Sequence, residues 1–82
     1  MTNKEMILDC LNQDDEAFTQ ILEYFELAVK IKISPSKIKS ILAEMVEEGY
    51  IFTNYNWKNE HDEYPYSLTE KGRKAWEKLN LK

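Results

Sequence analysis

LAVKIKISPSKIKSILAEMVEEG, Leu27 to Gly49, spans the end of one helix, a tight turn and a second helix with its start and stop marked. Ser34 is a good N-cap, because its hydroxyl can accept from an otherwise unpaired amide in the first turn. Pro35 follows at the first helical position, where its missing N–H costs nothing and its fixed φ is already helical. Ile38, Ile41, Leu42, Met45 and Val46 then recur at helical spacing and form one apolar stripe. Gly49 closes the helix, since glycine takes the left-handed conformation of a C-terminal cap without strain. The pattern is that of a helix-turn-helix.

Outward from this stretch, length and charge set the limits. Eighty-two residues make one domain, 1–82, with room for a single small core. Apolar residues make up 43% and charged residues 32%, an ordinary globular balance. No apolar run approaches the roughly 20 residues needed to span a bilayer, so no membrane partner is expected. The beginning, MTNKEMILDC, has early acids and no small-residue cleavage site, and does not read as a signal peptide. The single cysteine, Cys10, excludes an intrachain disulfide and fits a reducing cytosol, which predicts a cytoplasmic protein. No cation lies nearby to activate its thiol, so Cys10 reads as a small core hydrophobe.

The net charge of −4 disfavours a generic nucleic-acid binder, yet it hides an asymmetry. Residues 1–29 set seven acids against Lys4, a local charge of −6. Residues 30–40 carry Lys30, Lys32, Lys37 and Lys39 and no acid, a local charge of +4. Residues 41–82 return to −2. Phosphate contact depends on the field at the docking surface, and that field is positive at the turn and second helix. The plainer alternative is a solvated lysine face.

The flanks complete the architecture. Thr2 and Glu5 have capping-box spacing, and Met6, Ile7, Cys10 and Leu11 follow, which predicts a helix over about 3–12. Phe18, Ile21, Leu22, Phe25, Ala28 and Val29 keep helical spacing. They fit either one long helix over about 15–31 or a shorter one starting near Gln20. After Gly49 the period changes: Tyr50 to Trp57 and Tyr64 to Leu68 read as strands joined by a polar loop, Lys58 to Glu63. Pro65 cannot donate to a sheet ladder, so the second strand either lies on an edge or starts at Tyr66. Thr69 caps a last helix of about 70–80, with Ala75, Trp76 and Leu79 facing inward. The fold class is mainly α with a β-hairpin wing. A winged helix-turn-helix has this order: three-helix core, two-stranded wing, C-terminal helix.

ISPSKIKSILAEMVEEGYI resembles the recognition-helix segment of MarR-like and PadR-like winged helix-turn-helix regulators. YSLTEKGRKAWEKL, Tyr66 to Leu79, looks like the second wing strand and following helix of the same families. Together the two segments cover about 40% of the chain. The resemblance implies a transcriptional regulator that binds duplex DNA sequence-specifically, with the helix at 35–48 as recognition helix. It also implies contact of Ser36, Lys37 and Ser40 with base edges or backbone. Where those families often place a glycine in the turn, this chain has Lys32, which predicts backbone strain there.

The residues agree with that implication. Ser36, Ser40, Ala43 and Glu47 lie opposite the apolar stripe, and small side chains let a helix approach a major groove closely. The expected DNA-binding set is Lys30, Lys32, Ser34, Ser36, Lys37, Lys39, Ser40 and Lys58, with the lysines on phosphates. A homodimer through the first helix or the C-terminal helix around Trp76 would supply two half-sites. The alternative function is a protein-interaction winged helix that leaves DNA alone and docks a partner through Tyr55, Trp57, Tyr64 and Tyr66. The acids Glu60, Asp62 and Glu63 in the wing loop favour that alternative, and cross-strand packing is a simpler use of the aromatics. An enzyme is not expected: one histidine and no phosphate-cradling loop leave no catalytic residues to name. His61 with its acidic neighbours lacks a second ligand cluster, so neither metal nor cofactor is expected.

Overall fold

The computed structural model describes residues 1–79. Helix α1 runs Asn3–Gln13, α2 runs Phe18–Glu23, and α2 continues without a break into a π-helical segment, Tyr24–Ala28. Helix α3 is Pro35–Glu47, strands β1 and β2 are Ile51–Thr53 and Tyr66–Leu68, and α4 is Glu70–Glu77. This is the winged helix order. The second helix thus lies between the two expected forms, starting at Phe18 and finishing with a π turn. The helix expected over 70–80 ends earlier, and position 80 is outside the described residues.

The caps form as the side-chain chemistry dictates. Thr2 Oγ1 accepts from Glu5 N at 3.2 Å, and Glu5 Oε1 accepts from Thr2 N at 2.7 Å. Ser34 Oγ accepts from Lys37 N at 3.2 Å, with Pro35 in the first turn. At the other end of α3, Gly49 takes φ +84°. Tyr50 N then reaches Met45 O, and Gly49 N reaches Val46 O, each at 3.0 Å. This pair satisfies two carbonyls that the helix end would leave orphaned.

Ile38, Leu42 and Met45 are at most 1% exposed and Ile41 is 6% exposed. They pack with Met6, Ile7 and Leu11 of α1, Ile21 and Phe25 behind α2, and Ile51 of β1. Cys10 is buried in the same cluster. Val46 departs from the expected stripe. At 40% exposure it lies past the edge of the buried arc, where a 3.6-residue period carries the last turn round toward solvent.

The hairpin is shorter than its aromatic runs suggested. Three antiparallel pairs form, Ile51 with Leu68, Phe52 with Ser67 and Thr53 with Tyr66. The second strand does start at Tyr66, immediately after buried Pro65. The remaining residues, 54–65, form a loop closed by a backbone bond from Asn54 N to Pro65 O at 2.8 Å and held further by side chains. Asn54 Oδ1 accepts from Asn56 N, and Asn59 Oδ1 accepts from both His61 N and Glu63 N. Asparagine side chains that mimic backbone acceptors compete with strand pairing. On its other edge β2 meets Glu16 through one antiparallel bridge, Tyr66 N to Glu16 O at 2.8 Å.

Helix α4 closes the module. Thr69 Oγ1 accepts from Gly72 N at 3.0 Å and lies 2.6 Å from Gly49 O, to which it donates. Gly72 faces Tyr50 so closely that a Cβ there would collide with the Tyr50 carbonyl. This glycine lets α4 sit against the end of α3. Among the described residues no helix is long and apolar enough to cross a membrane.

Candidate nucleic-acid interface

The turn between the π segment and α3 is strained at a different residue from the one expected. Lys30 has φ +56°, while Lys32 is not among the described residues with positive φ. The π segment ends with Val29 N bonded to Tyr24 O at 3.1 Å, and Ile31 N then reaches back to Phe25 O at 2.8 Å. Closing that wide loop reverses the chain at Lys30, and residues 31–33 then connect it to the Ser34 cap without regular secondary structure. A left-handed conformation at a non-glycine residue costs about 1 kcal/mol or more. Lys30→Gly is therefore expected to raise the unfolding free energy by roughly 0.5–1 kcal/mol, part of the relief being lost to a more flexible unfolded chain. Urea denaturation measures this, and a destabilised variant would refute strain at Lys30.

The structure places seven of the eight expected contact residues on one continuous stretch, the turn and first half of α3. Lys30, Lys32, Ser34, Ser36, Lys37, Lys39 and Ser40 are all exposed. None of the four lysines has an ion-pair partner among the described residues. Ser34 Oγ stands 3.4 Å from Ser36 Oγ, so the cap hydroxyl has a polar neighbour on the outer face. Lys39 Nζ lies 5.0 Å from the centroid of the Phe18 ring, which leans its stem toward α2 and leaves the ammonium in water. The amides of the first turn of α3 add positive potential to the same end of the helix.

Lys58 stands apart from this group. It lies in the wing loop, paired with Asp62 at 3.1 Å and 4.8 Å from the Tyr64 ring centroid. The Asp62 carboxylate raises the Lys58 ammonium above its ordinary value. Its charge is matched locally, which weakens its case as a phosphate ligand. The aromatic set also divides. Tyr55 is 71% exposed and stacks edge-on with Tyr64 at 4.7 Å, and Trp57 is exposed beside them. Tyr66, by contrast, packs against the core.

Two further features have no signal in the local sequence. The acids at the C-terminal end of α3 are exposed but not all left unpaired. Lys4 of α1 pairs with Glu44 and, at 3.1 Å, with Glu48, so one positive charge about forty positions away is shared between two of them. The wing loop is also pinned to the start of α2. Glu63 Oε1 accepts from Thr19 N at 3.3 Å, and Asn59 Nδ2 donates to Gln20 Oε1 at 3.1 Å. His61, Glu60, Asp62 and Glu63 do not converge: among the described residues no group of three or more His, Cys, Asp or Glu side chains could hold a metal ion.

No protein-family model and no curated protein matches this sequence. Solved structures do match it. Bacillus subtilis PadR in complex with operator DNA superposes with a TM-score of 0.75 at 24% identity, over 96% of this chain and 46% of that one. A PadR family transcription regulator from Clostridium difficile R20291 gives 0.81 at 16% identity, over 94% of this chain and 81% of that one. A transcriptional regulator from Clostridium thermocellum gives 0.79 at 22% identity, covering 94% and 75%. The fold is thus the winged helix fold of PadR-like regulators, and the two clostridial neighbours are transcription regulators. The chain spans less than half the length of Bacillus subtilis PadR.

Proposed function

We propose that this chain is a small cytoplasmic transcriptional regulator that binds duplex DNA, with α3 as the recognition helix in the major groove. The observation that carries the reading is the cluster of four exposed lysines on the turn and first half of α3, without ion-pair partners among the described residues and with no acid among residues 30–40. Lys30, Lys32, Lys37 and Lys39 would neutralise phosphates, and Ser34, Ser36 and Ser40 would approach backbone or base edges. The likeness to a PadR solved on operator DNA supports placing α3 at the groove. One module presents one recognition helix, so specific binding calls for two half-sites and a homodimer. Helix α1 or α4 would form its interface.

The exposed Tyr55, Trp57 and Tyr64, set among acids that would repel phosphates, favour a second reading in which the wing docks a protein partner. Binding to a fluorescent duplex across a salt series separates the two. With all four lysines engaged, log affinity is expected to fall against log salt with a slope of about −3 to −4 per protomer. Absence of duplex binding even at low salt would overturn the DNA reading and leave the protein-docking one.

A further inference from the structure

The turn that carries Lys30 and Lys32 hangs from a π segment, a rare geometry that occurs mostly as single turns. Something must hold that segment in place. Phe25 does so from the core, where it is fully buried. Tyr24, the first residue of the segment, does so through its hydroxyl, which donates to Asp9 Oδ2 at 3.1 Å. Burial foremost, and then the charge of Asp9, push the Tyr24 phenol up to about 12, so it stays a donor at any physiological pH.

The other oxygen of the same carboxylate is also occupied. Asp9 Oδ1 accepts from Trp76 Nε1 of α4 at 3.0 Å. One side chain on α1 therefore holds two donors that lie 15 and 67 residues away, one on the π segment and one on the C-terminal helix. Both contacts are partly buried, so a lost donor leaves an acceptor that water satisfies incompletely.

We propose that Asp9 is a positioning residue, which sets the α2–α3 turn through Tyr24 and couples that turn to α4 through Trp76. A shift of α4, as when a second chain docks on it, would pull the carboxylate and be felt at Lys30. The effect on DNA affinity rests on the DNA-binding reading above, whereas the coupling itself does not.

Tyr24→Phe and Trp76→Phe each remove one donor while keeping an aromatic ring. Amide hydrogen exchange on the wild type, both single variants and the double variant tests the coupling. Exchange at Val29 and Ile31 is expected to rise by about tenfold or more in Tyr24→Phe, the effect of one lost hydrogen bond to a charged group. Trp76→Phe should raise the same two amides, less strongly. The double variant should fall short of the product of the singles, because both donors share one carboxylate. Leu42 NH, in the middle of α3, reports global opening and should move less than the turn amides.

Exchange at Val29 and Ile31 unchanged by Trp76→Phe, or rising only in step with Leu42, would overturn the coupling. Duplex affinity on the same variants tests the second half. A several-fold loss alongside the loosened turn supports the positioning role, and full affinity with a loosened turn overturns it. A loosened turn in a protein that never binds duplex refutes the DNA reading and leaves the coupling standing.

Discussion

Leu42→Ala is expected to lower the unfolding free energy by about 2–5 kcal/mol, the range for a leucine truncated in a core that relaxes only partly around the cavity. Leu42 is 1% exposed and packs in the one apolar cluster that α1, α2, α3 and β1 share. A chain this size has about 4–12 kcal/mol of stability in total, so the variant forfeits a large share of it. Urea denaturation should show a lower midpoint with an unchanged slope, since the surface exposed on unfolding is nearly the same. Val46→Ala, on the same helix and at 40% exposure, is the internal control and should cost less than about 1 kcal/mol. Equal losses at the two positions would mean that α3 presents a different face to the core.

The paired outcome at Leu42 and Val46 also marks how far the sequence could be read. Helix ends were legible wherever a side chain meets the backbone a few residues away, as at Thr2 with Glu5, Ser34 with Pro35, Gly49, and Thr69. The apolar period placed Ile38, Ile41, Leu42 and Met45 correctly, then overran at the final turn. What local pattern could not carry was anything decided across the chain. The π turn and the left-handed Lys30 depend on Phe25 and Tyr24 being held by the core and by Asp9. Lys4 finds Glu44 and Glu48 only once α1 lies beside α3. Gly72 carries no local signal of its role, which is to clear the Tyr50 carbonyl.

The wing shows the same division within one element. Its aromatic runs signalled a hairpin, and Pro65 narrowed the second strand to an edge or to a start at Tyr66, because proline cannot donate to a ladder. Its length was not readable, because Asn54 and Asn59 turn their side chains onto the loop backbone and shorten both strands. For the candidate interface, the charge pattern alone picked out the turn and α3. Lys58 was expected on phosphates with the other lysines, and the structure pairs it with Asp62.

Reversing Lys37 and Lys39 together to glutamate is expected to have the largest effect on duplex binding. Each phosphate neutralised contributes about −0.9 to the slope of log affinity against log salt, so four contacts give a slope near −3.6 and two give about −1.8. Between roughly 50 and 200 mM salt the wild type should therefore lose about 150-fold in affinity, and the variant only about 12-fold. At low salt the variant should bind more weakly on every duplex tested, because phosphate contacts position the protein without reading bases. The fold should survive. Both side chains are exposed on the flanks of α3, and the main loss is the contact of Lys39 with the Phe18 ring. At an exposed site that contact is worth about 0.5–1 kcal/mol. The Ser34 cap reaches the backbone amide of Lys37 and not its side chain, so the helix start is untouched. Circular dichroism and the urea midpoint check this before binding is measured. A folded variant that keeps wild-type affinity and slope would move the DNA surface away from α3. Since residues 30–40 hold the largest acid-free lysine cluster in the sequence, that result would shift the weight to the aromatic wing and a protein partner.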